Sequence, residues 1–500
     1  MQLLCTRRRR VMSAGCALGL LLVLVICLAA VARPATTLAA TSAGMTRVLS
    51  SDPYSNSTSQ HHTEVEPDTY SYGSTEVSAY QAGRFYGGGS TNIGWAVSHN
   101  AGVNWKTGFL TGTTVYVGGT YDSISDPAVA YDPLHNVWLI SSLGLTNTHG
   151  NDVLVSRSTD GGVTWSLPVV IAAAGPNNDY LDKDWIVCDT TASSPYYGHC
   201  YAQWDDRNIN GGLIQMSTST DGGLTWSAPA SPPTQTFAAQ GGQPLVQPGG
   251  KVIVPIYGQD LTNNLFYMYA YTSKDGGQSW TNPVTISQLT FNIQQASYRG
   301  GSLPSAEMDK AGKVYMVWDD CRFEPNCTAG DIVLTTSTDG TTWSPVQRIP
   351  IDPIGSGVDH FTAGIGVDRS TAGAKAHLGV TFYYFANTNC NNDTCKLYAG
   401  FVSSINGGAS WSAKVTLAGP MSVKWLANTD AGYMTGDYIS TSIVNHMAVP
   451  VFAAASAPKG TTLHEFMDVS LLPVVGGPNK MVPEPVQDTS RASKTRLPSS

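Results

Sequence analysis

The chain opens on an almost wholly apolar stretch, Val11 to Val31, with Arg7 to Arg10 before it. That order of basic start and apolar run is an export signal, and its length of about 20 residues also allows a membrane anchor. No later segment is apolar enough to cross a bilayer. Beyond residue 64 the pattern becomes short runs of β-branched and aromatic residues between turn residues. Pro127 to Tyr131, Val137 to Ile140, Asp152 to Ser156 and Pro168 to Ile171 form one such set, which predicts a four-stranded meander. The stretches from Ser51 to His62 and after Gly477 are polar and rich in Ser and Pro. The resulting division is 1–40 signal peptide or signal anchor, 41–63 disordered linker, 64–476 folded domain and 477–500 disordered tail.

One octapeptide, S-x-D-x-G-x-x-W, recurs at Ser98, Ser158, Ser219, Ser273, Ser337 and Ser404. Asp160, Asp221, Asp275 and Asp339 fill the acidic position, Asn100 and Asn406 replace it in the outer copies, and the copy at Ser337 is one residue shorter. The closing tryptophans, Trp105, Trp165, Trp226, Trp280, Trp343 and Trp411, are spaced 54 to 68 residues apart. Asp or Asn bonds its own backbone a few residues on, and Gly supplies positive φ, so each copy reads as a hairpin turn covered by its Trp. Even spacing of such turns predicts an all-β fold closed by radial repetition, a β-propeller. The boxed repeats give six blades. Three further strands, around Ser440, Val449 and Met467, favour seven. Ring closure then requires the N- and C-terminal segments to lie side by side.

The net charge of −8 becomes −13 once the five arginines of residues 1–40 are removed, which argues against nucleic acid as a partner. Six cysteines remain beyond the signal: Cys188, Cys200, Cys321, Cys327, Cys390 and Cys395. An even count in an exported chain predicts three local disulfides. A metal site is the rival reading, opposed by the lack of any C-x-x-C pair.

The repeated turn resembles the Asp box of the sialidase superfamily, and the resemblance runs from about Ser98 to Leu472. It implies a glycosidase, including exo-α-sialidase among the activities, with glycan or polysaccharide as partner and an extracellular or cell-surface location. Family members carry an early Arg-Ile-Pro motif. The one instance here, Arg348-Ile349-Pro350, follows the fifth turn directly and reads as the outermost strand of a blade, so the family's arginine role is not carried onto it.

Strand direction selects a site without the family. Residues before first strands and after second strands of each blade converge at one end of the channel, opposite the boxed turns. The first set is Asp126, Asp184, Arg299, Asp359, His360, Asp437 and Tyr438. The second is Asp205, Asp206, Arg207, Asp319, Asp320 and Arg322. Carboxylates beside arginines serve acid/base chemistry or anchor sugar hydroxyls. Asp184 and Asp320 are expected as acids; the resemblance to sialidases implies a tyrosine nucleophile assisted by a glutamate, for which Tyr438 and either Glu307 or Glu324 are the candidates. Asp126, Asp206, Arg207, Arg299, Arg322, Asp359, His360 and Asp437 are expected to bind substrate. The structural alternatives are loop caps for the Asp pairs and a packed core residue for His360. No cofactor is expected, although a structural Ca²⁺ fits clustered carboxylates. A non-catalytic propeller that binds glycan or protein is the second function.

Overall fold

The computed structural model describes residues 46–146, 150–175, 180–292 and 294–483. Residues 1–40, and with them the expected signal, lie outside the described residues, as does most of the expected tail. Among the described residues no helix is long and apolar enough to cross a membrane.

The fold is an all-β propeller of antiparallel meanders. Five sheets of three to five strands stand as separate blades; their first strands are Leu181–Cys188, Phe237–Gln240, Ser305–Met308, Asp359–Val367 and Ser440–Val444. The chain from Ser59–Tyr72 to Val169–Ala172 forms one continuous eight-stranded sheet, joined across its middle by the Ser90–Ile124 pairing. The expected six or seven blades are therefore corrected to five separate blades and this sheet. Sequence spacing counts turns, and it does not reveal where hydrogen bonding runs on from one meander to the next.

Strand Arg47–Val48 pairs with Glu465–Val469, so the two ends of the domain meet as ring closure requires. The segment expected as a disordered linker is ordered from Thr46 onward. Asp52 is buried, accepts the Tyr54 amide and meets His61 at 3.1 Å. Residues 479–483 likewise pair with Ser410–Trp411 and Gln347–Arg348.

Apolar clusters fill the spaces between adjacent sheets, for example Ala128, Leu139, Val153, Ile186, Ala202 and Trp204. The central channel is polar instead, lined by Asp68, Gln243, Ser305, Glu307 and Arg369 among others. Its cavity of about 30 Å³ has room for about two waters and none for a sugar ring.

The octapeptide turns explain their own composition. Ser158 Oγ donates to Asp160 at 2.8 Å and accepts the Gly162 amide at 2.9 Å. Asp160 Oδ1 accepts the Val163 and Thr164 amides, and Trp165 Nε1 donates to the Gly162 carbonyl. The bonds of the Ser hydroxyl and of the acidic position recur around Asp221 and Asn406, and the Trp-to-Gly bond recurs at Trp411. Gly162 has φ +88°, and a Cβ there would come within 3.0 Å of Val77 on the neighbouring strand, so both turn shape and close approach demand Gly. All three expected disulfides are formed, Cys188–Cys200, Cys321–Cys327 and Cys390–Cys395, each staying within its own repeat.

Candidate functional site

Four inner strands carry the same irregularity near the end opposite the octapeptide turns. Pairing shifts directly after Val65, Ser125, Asp182 and Phe361. The next residue in each case, Glu66, Asp126, Lys183 and Thr362, has a left-handed backbone, with φ of 55°, 49°, 52° and 49°. A bulge of this kind re-aims a side chain, and each non-glycine residue held there costs about 1 kcal/mol or more. Three of the four are ionisable, and they meet.

Lys183 Nζ lies 2.6 Å from Asp437, 3.3 Å from Asp126 and 3.9 Å from Glu66. Arg299 grips both oxygens of Asp437 through Nε and Nη2, at 2.8 and 2.6 Å. The Asp437 amide donates to Glu66 Oε1, Gln81 donates to the other Glu66 oxygen, and Ser125 Oγ donates to Asp126. Arg84 is buried behind this group, donates to the Gly89 carbonyl and feels the charges of Glu66, Asp437 and Asp126. Asp182, partly buried, stands beside Lys183, with the charge of Arg207 near it. Tyr180, 49 % exposed, offers an aromatic face among Asp182, Asp126, Lys183 and Arg207.

The environments push these carboxyls apart. Burial raises Glu66 to about 7, helped by Asp126 and opposed by Lys183. Burial also raises Asp182 above the ordinary range, against the pull of Lys183. At Asp437 burial acts in the same direction, but Lys183 and Arg299 outweigh it and hold the group well below the usual carboxylate range. Asp184 is buried beside Ser141 with no hydrogen bond to either oxygen, and burial pushes it well up.

Of the residues expected from sequence, Asp126, Arg299 and Asp437 form this network, and Asp184 and Tyr438 lie against it. Tyr438, expected as the nucleophile, has its hydroxyl already engaged. Its hydroxyl is buried, donates to the Pro127 carbonyl at 3.0 Å, and is pushed well above its ordinary pKa by burial and then by Glu66. Its ring stacks edge-on with Trp185. Of the glutamates expected to support it, Glu307 pairs with Arg369 in the channel and Glu324 accepts the Gly355 amide, while the charge of Glu66 reaches Tyr438.

Asp320, expected as an acid, is held in a network that braces the loop. It accepts bonds from Thr290, Trp318 Nε1 and Arg322, and Arg322 reaches on to Ser287 and Gln288. On the same strand Asp319 faces the other way and accepts from Ser302. Asp205 accepts the Gly241 amide and Gln203, and Asp206 accepts the Asn208 amide. Asp359 holds the Gly330 amide and Asn292. His360 is a core residue, 1 % exposed, bonded to Asp352 and packed on Phe382. Arg348 of the Arg-Ile-Pro segment is buried against Asp331 in an outer strand. Sequence reasoning missed Glu66, Arg84, Asp182, Lys183 and Tyr180.

Among the described residues at the mouth, the acids Asp126 and Asp437 are paired with Lys183 and Arg299.

Residues 195–370 match the family of the BNR repeat-like domain. A sialidase of Bacteroides fragilis (strain YCH46) is 26% identical over 273 residues, which are 40% of this chain and 49% of that protein. A sialidase of Micromonospora viridifaciens is 34% identical over 90 residues, 15% of this chain and 14% of that one. The chain thus spans about half of the first relative and a small part of the second. Among solved structures a Hadza microbial sialidase superposes with a TM-score of 0.45 at 14% identity, covering 79% of this chain and 73% of that one.

Proposed function

We propose that the chain, whose residues 195–370 match the BNR repeat-like domain, is an exported glycoside hydrolase of the sialidase superfamily whose site is the charged mouth around Asp182, Lys183, Arg299 and Asp437. One observation carries the reading. The same mouth holds two carboxyls in opposed environments: burial raises Asp182 above the ordinary carboxylate range, while Lys183 and Arg299 hold Asp437 well below it. Two carboxyls separated in this way are what cleavage of a glycosidic bond needs, an acid for the leaving oxygen and a carboxylate for the developing positive charge. Tyr180 supplies an apolar face for the sugar ring.

Arg299 is committed to Asp437 in a bidentate pair and Arg84 is buried. A sialic acid carboxylate would have to displace Asp437, whereas a neutral sugar would not. We therefore assign a neutral glycoside as the preferred substrate class. The engaged Tyr438 hydroxyl favours a second reading, a propeller that binds glycan without cleaving it.

A panel of fluorogenic glycosides, sialosides included, run beside a glycan-binding array on one preparation, tests both. Turnover of a neutral glycoside that falls about 10²-fold or more in Asp182→Asn supports the hydrolase. Array binding with no turnover supports the binding propeller. Efficient sialoside cleavage overturns the substrate assignment.

A further inference from the structure

The end of the propeller away from the mouth carries a second cluster. Asp368 follows strand Asp359–Val367, His377 precedes Leu378–Phe385, and His446 forms the turn between Ser440–Val444 and Met447–Ala455. Asp368 is 5 % exposed, and its Oδ1 is fixed by the Ser370 amide at 2.9 Å and Ser370 Oγ at 2.6 Å. Its Oδ2 lies 2.5 Å from His446 Nδ1 and 3.8 Å from His377 Nδ1. One ligand atom from each of the three falls within 4.8 Å of the others. Atoms sharing a tetrahedral ion at about 2.0 Å are roughly 3.3 Å apart, so small shifts seat them on one ion.

Two independent features say that this is more than a surface ion pair. His377 Nδ1 is buried and donates to or accepts from nothing within hydrogen-bond reach. Pairing of Val444 with Met447 makes Asn445-His446 a two-residue hairpin turn, with φ of 51° and 63°. Such turns favour Gly at the second position. Histidine there strains the backbone while aiming imidazole at Asp368.

We propose that Asp368, His377 and His446 bind a divalent transition ion, Zn²⁺ by ligand type, which cross-links the last two blades of the chain. Two imidazoles and a carboxylate suit Zn²⁺, Ni²⁺ or Cu²⁺, and exclude Ca²⁺, which takes oxygen ligands. Three protein ligands leave the fourth position to water. The site lies away from the mouth, so the role is structural.

The test titrates the EDTA-treated, buffer-exchanged protein with ZnCl₂ by calorimetry and follows thermal unfolding beside CaCl₂. The expected result is one Zn²⁺ bound, with an unfolding midpoint that rises with Zn²⁺ and not with Ca²⁺. At 100 times Kd the folded-to-unfolded ratio should rise about 100-fold. His446→Gly suits the turn, so it should fold, raise the ion-free midpoint and lose the Zn²⁺ response; His377→Gln should lose the response as well. Wild type without a Zn²⁺ response, or either folded variant retaining it, overturns the proposal.

Discussion

The ion network at the mouth yields the sharpest energetic prediction, a double-mutant cycle between Lys183 and Asp437. Their side chains are 6 % and 12 % exposed and 2.6 Å apart. At an effective dielectric of about 20 the attraction at that distance is about 6 kcal/mol, much of it offset by the desolvation of two ions. Lys183→Met leaves Asp437 with Arg299 but removes the cation that Asp126 and Glu66 pair with directly. Asp437→Asn leaves Lys183 with Asp126 at 3.3 Å. Each single variant should lose about 3 kcal/mol or more of unfolding free energy, because it strands a buried charge. The double variant should cost less than the sum of the two by about 2 kcal/mol. Urea unfolding followed by tryptophan fluorescence measures all four corners. Additivity within about 0.5 kcal/mol would refute the view that this pair organises the mouth.

Other outcomes follow from the same structure. Trp411 is fully buried and donates to Gly408, so Trp411→Ala should cost about 3 to 5 kcal/mol in chemical denaturation, more than Trp226→Ala, whose ring is only partly covered. Burial raises Glu64 to about 8, and Asp68 and Asp205 to about 7, so all three folded values exceed the unfolded ones. Their contribution is complete below about pH 4 and is lost as pH rises through 7 to 8. Asp437 and Asp352 are depressed, Asp352 to about 2, and their contribution persists above about pH 4 and fades as pH falls through the folded values. The melting temperature should therefore peak near pH 5 and decline toward pH 8, and a midpoint rising over that range would count against the assignment. Thiol titration of the native protein should find none of Cys188, Cys200, Cys321, Cys327, Cys390 or Cys395 reactive.

The turns made the fold legible, because Ser, Asp or Asn, Gly and Trp each have a set place in a closed hairpin that recurs six times. Strand direction also found Asp126, Arg299 and Asp437, since the ends of inner strands must converge in a ring. Three things hid the rest. Strand Ser59–Tyr72 begins inside the expected linker and buries Glu64, Glu66 and Asp68, so its acidic run carries no apolar signal of an inner strand even though it faces other charges and a polar channel. The bulges at Glu66, Asp126 and Lys183 use non-glycine residues at positive φ, which leaves no glycine to mark them. Asp319 and Asp320 look equivalent in sequence, but alternation sends them to opposite faces, and only the bonding of Asp320 to Trp318, Thr290 and Arg322 shows that it supports the loop.

The central claim is that chemistry or recognition resides at the mouth and that the octapeptide turns at the other end serve stability alone. Its most direct test is the turnover of the best neutral glycoside per folded molecule, or affinity for the best array glycan, in Asp182→Asn beside Trp411→Ala. The account predicts a loss of about 10² to 10⁴ in rate for Asp182→Asn with its melting temperature nearly kept, while Trp411→Ala melts early yet works normally when folded. Full activity in folded Asp182→Asn, with activity lost in folded Trp411→Ala, would place the site at the opposite end of the propeller.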